Sequence, residues 1–152
     1  MATTAEGRTP VHLWIVGILA LLWNAWGGYD YIMTKTRNTD YLTSMMPNVD
    51  PNAMLAYLDA YPIYAQIGWG LGVWGGVLGS ILLLIRSRYA VWSFAASILG
   101  MVLSFGYMLF LAPPMPGQEE AGLMAYFPIV IVIVGIALYL YARAQQRNGV
   151  IR

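Results

Sequence analysis

Apolar positions in this chain gather into four long runs separated by stretches rich in proline, asparagine and charge, and each run has the length a helix needs to cross a bilayer. The first, from about residue 11 to 33, reads VHLWIVGILALLWNAWGGYDYIM. At about 1.5 Å per residue such a run covers the roughly 30 Å hydrocarbon core. Pro10 stands where that helix begins, with Thr9 as its expected N-cap. The second and third runs, about 62–85 and 89–111, are separated by Arg86-Ser-Arg88 alone, which predicts a tight turn between antiparallel helices. The fourth runs from about 122 to 142, and its segment Ile129-Val-Ile-Val-Ile-Val134 is apolar on every face, as a lipid-facing helix is. Trp14 is expected at one membrane interface, and Tyr29 and Tyr31 at the other.

The connections carry their own patterns. Residues 34–61 are a long first connection in which Asn48-Val-Asp50-Pro51 reads as turn, N-cap and first helical residue. The helix it starts, about 51–60, is amphipathic through Met54, Leu55 and Leu58, so it lies on the membrane surface or caps the bundle. Asp40 to Met46 reads as a further helical turn stopped before Pro47. Residues 112–120 (APPMPGQEE) are loop by composition, and Glu119-Glu120 suit the start of the last helix. The fold class that follows is all-α: a single integral membrane domain over 1–152, a four-transmembrane-helix bundle with a short interfacial helix in the long first outer connection.

Within the second run, Gly68, Gly72, Gly76 and Ser80 recur every fourth residue, with Gly75 and Gly79 beside them. In water each interior glycine costs a helix up to about 1 kcal/mol relative to alanine. In a bilayer the helix is enforced by the backbone's need for internal hydrogen bonds, and the stripe becomes a groove for a second helix. The third run offers the matching small residues Ala96, Gly100 and Ser104, with Ser93 and Ser97 alongside, and the short turn between them makes it the expected partner.

Composition changes this picture little. The chain is 59% hydrophobic and 10% charged, against about 25% charge for a soluble domain. A formal net charge of +1 gives no electrostatic case for nucleic acid, and the absence of cysteine excludes disulfides, Cys-ligated metals and thiol chemistry. The first run is too long for a signal peptide and lacks a cleavage site, so it is expected to be retained, with a polar and frayed segment before it. Charge distribution gives an orientation. Arg8, Arg86, Arg88, Arg143, Arg147 and Arg152 fall on one side of a four-span topology, and only Lys35 and Arg37 on the other. The positive-inside rule then puts both termini in the cytoplasm of a bacterial inner membrane.

Candidate chemistry is sparse. His12 is the single histidine, which by itself cannot supply bis-histidine haem ligation. The nine methionines are dispersed, as apolar filling requires, and Glu119-Glu120 diverge on a helix. No hydrolase triad, P-loop, dinucleotide or HExxH motif occurs, so a non-enzymatic protein is expected, with no resident cofactor. Polar side chains inside a span are costly, which singles out Asn24, Asp30 and Arg37 as a candidate polar or ligand-binding group. Asn24 reads either as an interhelical hydrogen bond or as a ligand contact. Asp30 reads either as a water-facing helix end or as part of a site, with Thr34 and Arg37 on its own face as available partners. Together with the surplus of Trp and Tyr they form either an aromatic belt or a pocket for a lipid, a quinone-like molecule or a sugar.

The segments Trp23-Asn-Ala-Trp-Gly-Gly-Tyr-Asp-Tyr-Ile-Met-Thr-Lys-Thr-Arg-Asn38, Gly72-Val-Trp-Gly-Gly-Val-Leu-Gly-Ser80 and Tyr141-Ala-Arg-Ala144 resemble small four-span bacterial inner-membrane proteins of unassigned function, some of which carry an automatic "sugar transporter" label. The resemblance implies the four-span fold, and the label implies solute transport. The three-span, proline-hinged repeat of the half-transporter sugar family is absent, and no inverted repeat relates the two halves. Two functions are therefore expected. One is an accessory or assembly subunit, or a homo-oligomer, acting through helix contacts with lipids and other membrane subunits as partners. The alternative is a small-solute carrier working as an oligomer, with Asn24 and Asp30 in its path.

Overall fold

A computed structural model describes residues 9–120 and 122–152, so the expected frayed N-terminal segment and Arg8 lie outside the described residues. The described chain is helical. α1 spans Val11–Lys35, α2 Thr39–Met45, α3 Pro51–Asp59, α4 Ile63–Leu84, α5 Tyr89–Phe110 and α6 Phe127–Arg147. Four of the helices, α1, α4, α5 and α6 with its lead-in, are long and apolar enough to cross a membrane, as the four runs predicted.

Helix boundaries follow local chemistry. Asp50 caps α3 by accepting a hydrogen bond from the Asn52 amide, with Pro51 in the first turn, as predicted. Asn38 caps α2 in the same way, accepting from the Tyr41 amide at 2.9 Å. Thr9 does not cap α1. Pro10 occupies the cap position with no side-chain bond, and its carbonyl accepts from the Leu13 amide.

The last helix begins later than the pattern predicted. Gln118–Glu120 and Gly122–Tyr126 are 3₁₀ turns, and α-helix starts at Phe127. Pro128 supplies the reason: without an amide hydrogen it is tolerated only in the first turn.

Three helices end in the same way. The amides of Arg37, Arg86 and Gly149 bond back to Thr34, Leu83 and Gln146, and the following amides of Asn38, Ser87 and Val150 to Met33, Leu82 and Gln145. This double bond is the Schellman ending, which needs a left-handed residue. Gly149 is suited to it, whereas Arg37 and Arg86 adopt φ of 58° and 62° as non-glycine residues. At Arg86 the strain is matched by tertiary bonds. The chain end folds back so that the Arg88 amide donates to the Arg152 carbonyl and the Arg152 amide to the Arg86 carbonyl, both at 2.9 Å. The Arg86 guanidinium also donates to the Val150 carbonyl at 3.1 Å.

This clasp closes the apolar core. Leu13, Ala20, Leu83, Ala90, Val91, Phe94, Leu138, Ala142 and Ile151 form one buried cluster at the end of the bundle that holds the described termini. The other end is built differently, and the candidate site lies there.

Candidate functional site: a cavity under a capping connection

Helix α4 is the central element because its missing side chains admit two neighbours. Facing α5, a Cβ on Gly68 would lie 2.8 Å from the Gly100 carbonyl oxygen, and one on Gly100 would overlap the Gly72 backbone. The serines of α5 convert this closeness into bonds across the seam: Ser93 donates to the Gly75 carbonyl at 2.8 Å and Ser97 to the Gly72 carbonyl at 2.5 Å. Gly68, Gly72, Gly100 and Ser104 are buried in this seam, while Ala96 lies half-buried on its flank beside Trp92.

Gly76 belongs to a different contact. A Cβ there would overlap the Asn24 carboxamide of α1. Asn24 donates one amide hydrogen to the Ala20 carbonyl at 2.9 Å and the other to the Ser80 hydroxyl at 3.0 Å, and Ser80 in turn donates to the Gly76 carbonyl at 2.9 Å. The orientation of the carboxamide is set by these partners, because the Ala20 carbonyl can only accept. The stripe is thus read by two helices. Periodicity identified it, but spacing alone did not divide it between α1 and α5.

Helix α6 docks through Gly135, where a Cβ would meet the Met101 Cε methyl group at 2.8 Å. Its inner face continues through Leu138, Ala142 and Gln145, so the helix is lipid-facing on one side only, with Ile129, Ile133 and Leu140 outward.

Because α6 starts late and α1 carries Gly27, the four spans do not close at the end where α2 and α3 lie. They enclose a cavity of about 500 Å³ between α1, α4, α5 and α6. Its walls are mostly apolar, from Trp23, Trp26, Trp69, Met101, Phe105, Phe127 and Ile131. Met46, Pro47 and Val49 from the α2–α3 link and Met115 to Gly117 from the α5–α6 connection roof it. Gly117 has φ of +75° and sits against the Val49 side chain, which joins the two halves of the roof.

Asn24 and Asp30 both line this cavity. The Asp30 carboxylate accepts a hydrogen bond from the Tyr41 hydroxyl at 2.8 Å, which ties α2 to α1. Burial first, and then this bond to the carboxylate, push the Tyr41 phenol up from its ordinary range.

Arg37 is not part of the site. It pairs with Asp59 at the end of α3, both side chains more than half exposed, so Asp30 lacks the partner that the helix spacing offered. Lys35 bonds Gln66 at 3.1 Å and lies 5.0 Å over the Trp69 ring.

The cap is held by protein contacts. Met54 and Leu55 of α3 are buried, and Tyr61 stacks edge-on to Tyr107 at 4.8 Å and accompanies Tyr57. Tyr31, expected at the lipid interface, is instead packed edge-on to Trp69 at 4.9 Å. At the opposite end His12 contacts the Tyr141 hydroxyl and joins α1 to α6. Among the described residues no group of three His, Cys, Asp or Glu has the arrangement of a metal site.

The fold and this cavity define a multi-pass helical membrane protein with an internal space in one half of its bundle. No family model, curated protein or solved structure matches the chain, so its own geometry carries the functional reading.

Proposed function

We propose that this chain is a non-enzymatic protein of the bacterial inner membrane, with both termini cytoplasmic, that works by binding a small amphipathic molecule in the outer cavity. One observation carries the reading: a roofed cavity of about 500 Å³, within the usual range for small-molecule sites, holds the Asn24 and Asp30 side chains of α1 among apolar and aromatic walls. Few convergent polar groups in an apolar space suit orientation of a ligand rather than bond chemistry, for which a base, nucleophile and electrophile would have to meet. The same walls argue against a free sugar, whose many hydroxyls would go unpaired. The arginines beside α4, α5 and α6 support the orientation.

A second reading, an accessory or assembly subunit or a homo-oligomer, draws on the outward faces of α1 and α6, where Ile15, Ile18, Leu22, Ile129 and Ile133 are exposed. The glycine groove no longer supports it, because that groove is occupied within the chain.

Gly27 gives a clean test. It lines the cavity, and a Cβ there meets nothing within 4 Å. Gly27→Leu should fill the space without disturbing the bundle. Gly106→Leu, at the other glycine of the spans with open surroundings, serves as the control. Organic extraction of the purified proteins followed by mass spectrometry should recover an amphiphile from wild type and Gly106→Leu that is depleted in Gly27→Leu. Identical extracts from all three would end the cavity reading.

A further inference from the structure

The acceptors in the cavity say more about the head group of its occupant. Both amide hydrogens of Asn24 are already given to Ala20 and Ser80, and its oxygen lies against Gly76, so its carboxamide has no hydrogen to donate to a ligand. Asp30 is acceptor-only as a carboxylate, and Tyr41 takes one of its oxygens, leaving the other without a protein donor. No cation neutralises it among the described residues, since the one ion pair is Arg37 with Asp59. The other polar groups of the lining, the Ser104 hydroxyl, the Asn48 carboxamide and the indole N–H groups of Trp23, Trp26 and Trp69, carry no charge. A carboxylate facing an apolar space with no counter-ion is costly unless a donor or cation arrives.

Resting on the cavity reading above, we infer that the site takes a cationic amphiphile: an ammonium head donating N–H to the free Asp30 oxygen, with its apolar body among the aromatic walls that include Trp23 and Phe127. A quinone offers only carbonyl acceptors and a fatty acid a second negative charge, so neither complements the free Asp30 oxygen. The ammonium belongs either to a free amine or to an ethanolamine phospholipid, because the head chemistry is the same.

The test uses the full chain in phosphatidylcholine nanodiscs, titrated with octylammonium, octanol and octanoate while the fluorescence of the cavity tryptophans is followed. Octylammonium should give a saturable change, octanol should bind about tenfold more weakly, and octanoate should give none. Asp30→Asn should weaken octylammonium by about tenfold or more and leave octanol unchanged. Tyr41→Phe, which keeps the charge and frees its second oxygen, should preserve or strengthen octylammonium binding. It decides the matter if Asp30→Asn does not fold. Replacing the host lipid by its ethanolamine counterpart identifies the source: competition assigns the site to the lipid head, and unchanged binding assigns it to a free amine. Equal binding of all three probes would overturn the ammonium assignment while leaving the cavity reading intact. If none of the probes binds, both fall.

Discussion

At Gly76 a single added carbon would run into the Asn24 carboxamide, and the same carboxamide holds the Ser80 hydroxyl that bonds back to the Gly76 carbonyl. Helix approach and polar bonding are therefore one device at this point. Gly76→Ala should cost about 1–3 kcal/mol by overpacking. Asn24→Ala should cost less, because interhelical bonds in membranes average about 0.6 kcal/mol. The two changes together should cost less than their sum, since removing the carboxamide makes room for the methyl. A double-mutant cycle from reversible unfolding in mixed micelles checks this; strict additivity would mean that the two residues do not touch. The pattern of small residues every fourth position was visible in the sequence at Gly68, Gly72 and Gly76. Asn24 was recognisable there as a costly polar residue, but its partner Ser80 was not identifiable, because two helices far apart in sequence must first be set side by side.

Helix ends decide how the elements meet. Arg86 adopts a left-handed conformation that glycine would take more cheaply, and the return is a bonded edge between the α4–α5 turn and the chain end. That edge carries Ile151 into the core, where it is 1% exposed. Ile151→Ala should therefore destabilise the bundle by about 2–5 kcal/mol, far more than a truncation on an exposed helix end, and unfolding in increasing denaturing detergent should show it. An unchanged midpoint would show that the clasp does not hold the core. Nothing in the pattern of spans announced this clasp. Residues Asn148 to Arg152 lie beyond the fourth apolar run, and only the return of the chain onto Arg86 and Arg88 turns Ile151 into a core residue. The late start of α6 was, by contrast, readable from Pro128, whose ring belongs in a first turn.

On the scale of the whole molecule the bundle is filled at one end and hollow at the other. Leu83, Phe94 and Leu138 pack the end with the described termini, while the α2–α3 link and residues 115–117 cover the cavity beneath the cap that α2 and α3 form. That cap rests on phenols. Tyr41 and Tyr61 both hold their protons above the ordinary tyrosine range, through burial first and then through bonds to Asp30 and to the Tyr57 hydroxyl. The unfolded chain would release those protons near pH 10. Their contribution is thus complete below about pH 10 and is lost as the pH rises through the higher folded values. Absorbance of tyrosinate should lag behind that of free tyrosine in alkaline titration, and stability should fall between about pH 10 and 12. Tyr41→Phe should reduce that fall. A titration matching free tyrosine would show that the cap is open.

The sequence by itself determined the four spans, their order, the capped α3 and the small-residue seam, because hydropathy, proline position and glycine spacing act within one helix or between neighbours joined by a tight turn. Only the tertiary structure decided that the seam serves two helices, that Arg37 leaves Asp30 for Asp59, and that Asn24 and Asp30 open into one cavity. Those outcomes depend on the relative rotation of helices and on where the α1–α4 and α5–α6 connections come to rest. Both are set by packing among α1, α4, α5 and α6 together, which no single stretch of residues encodes.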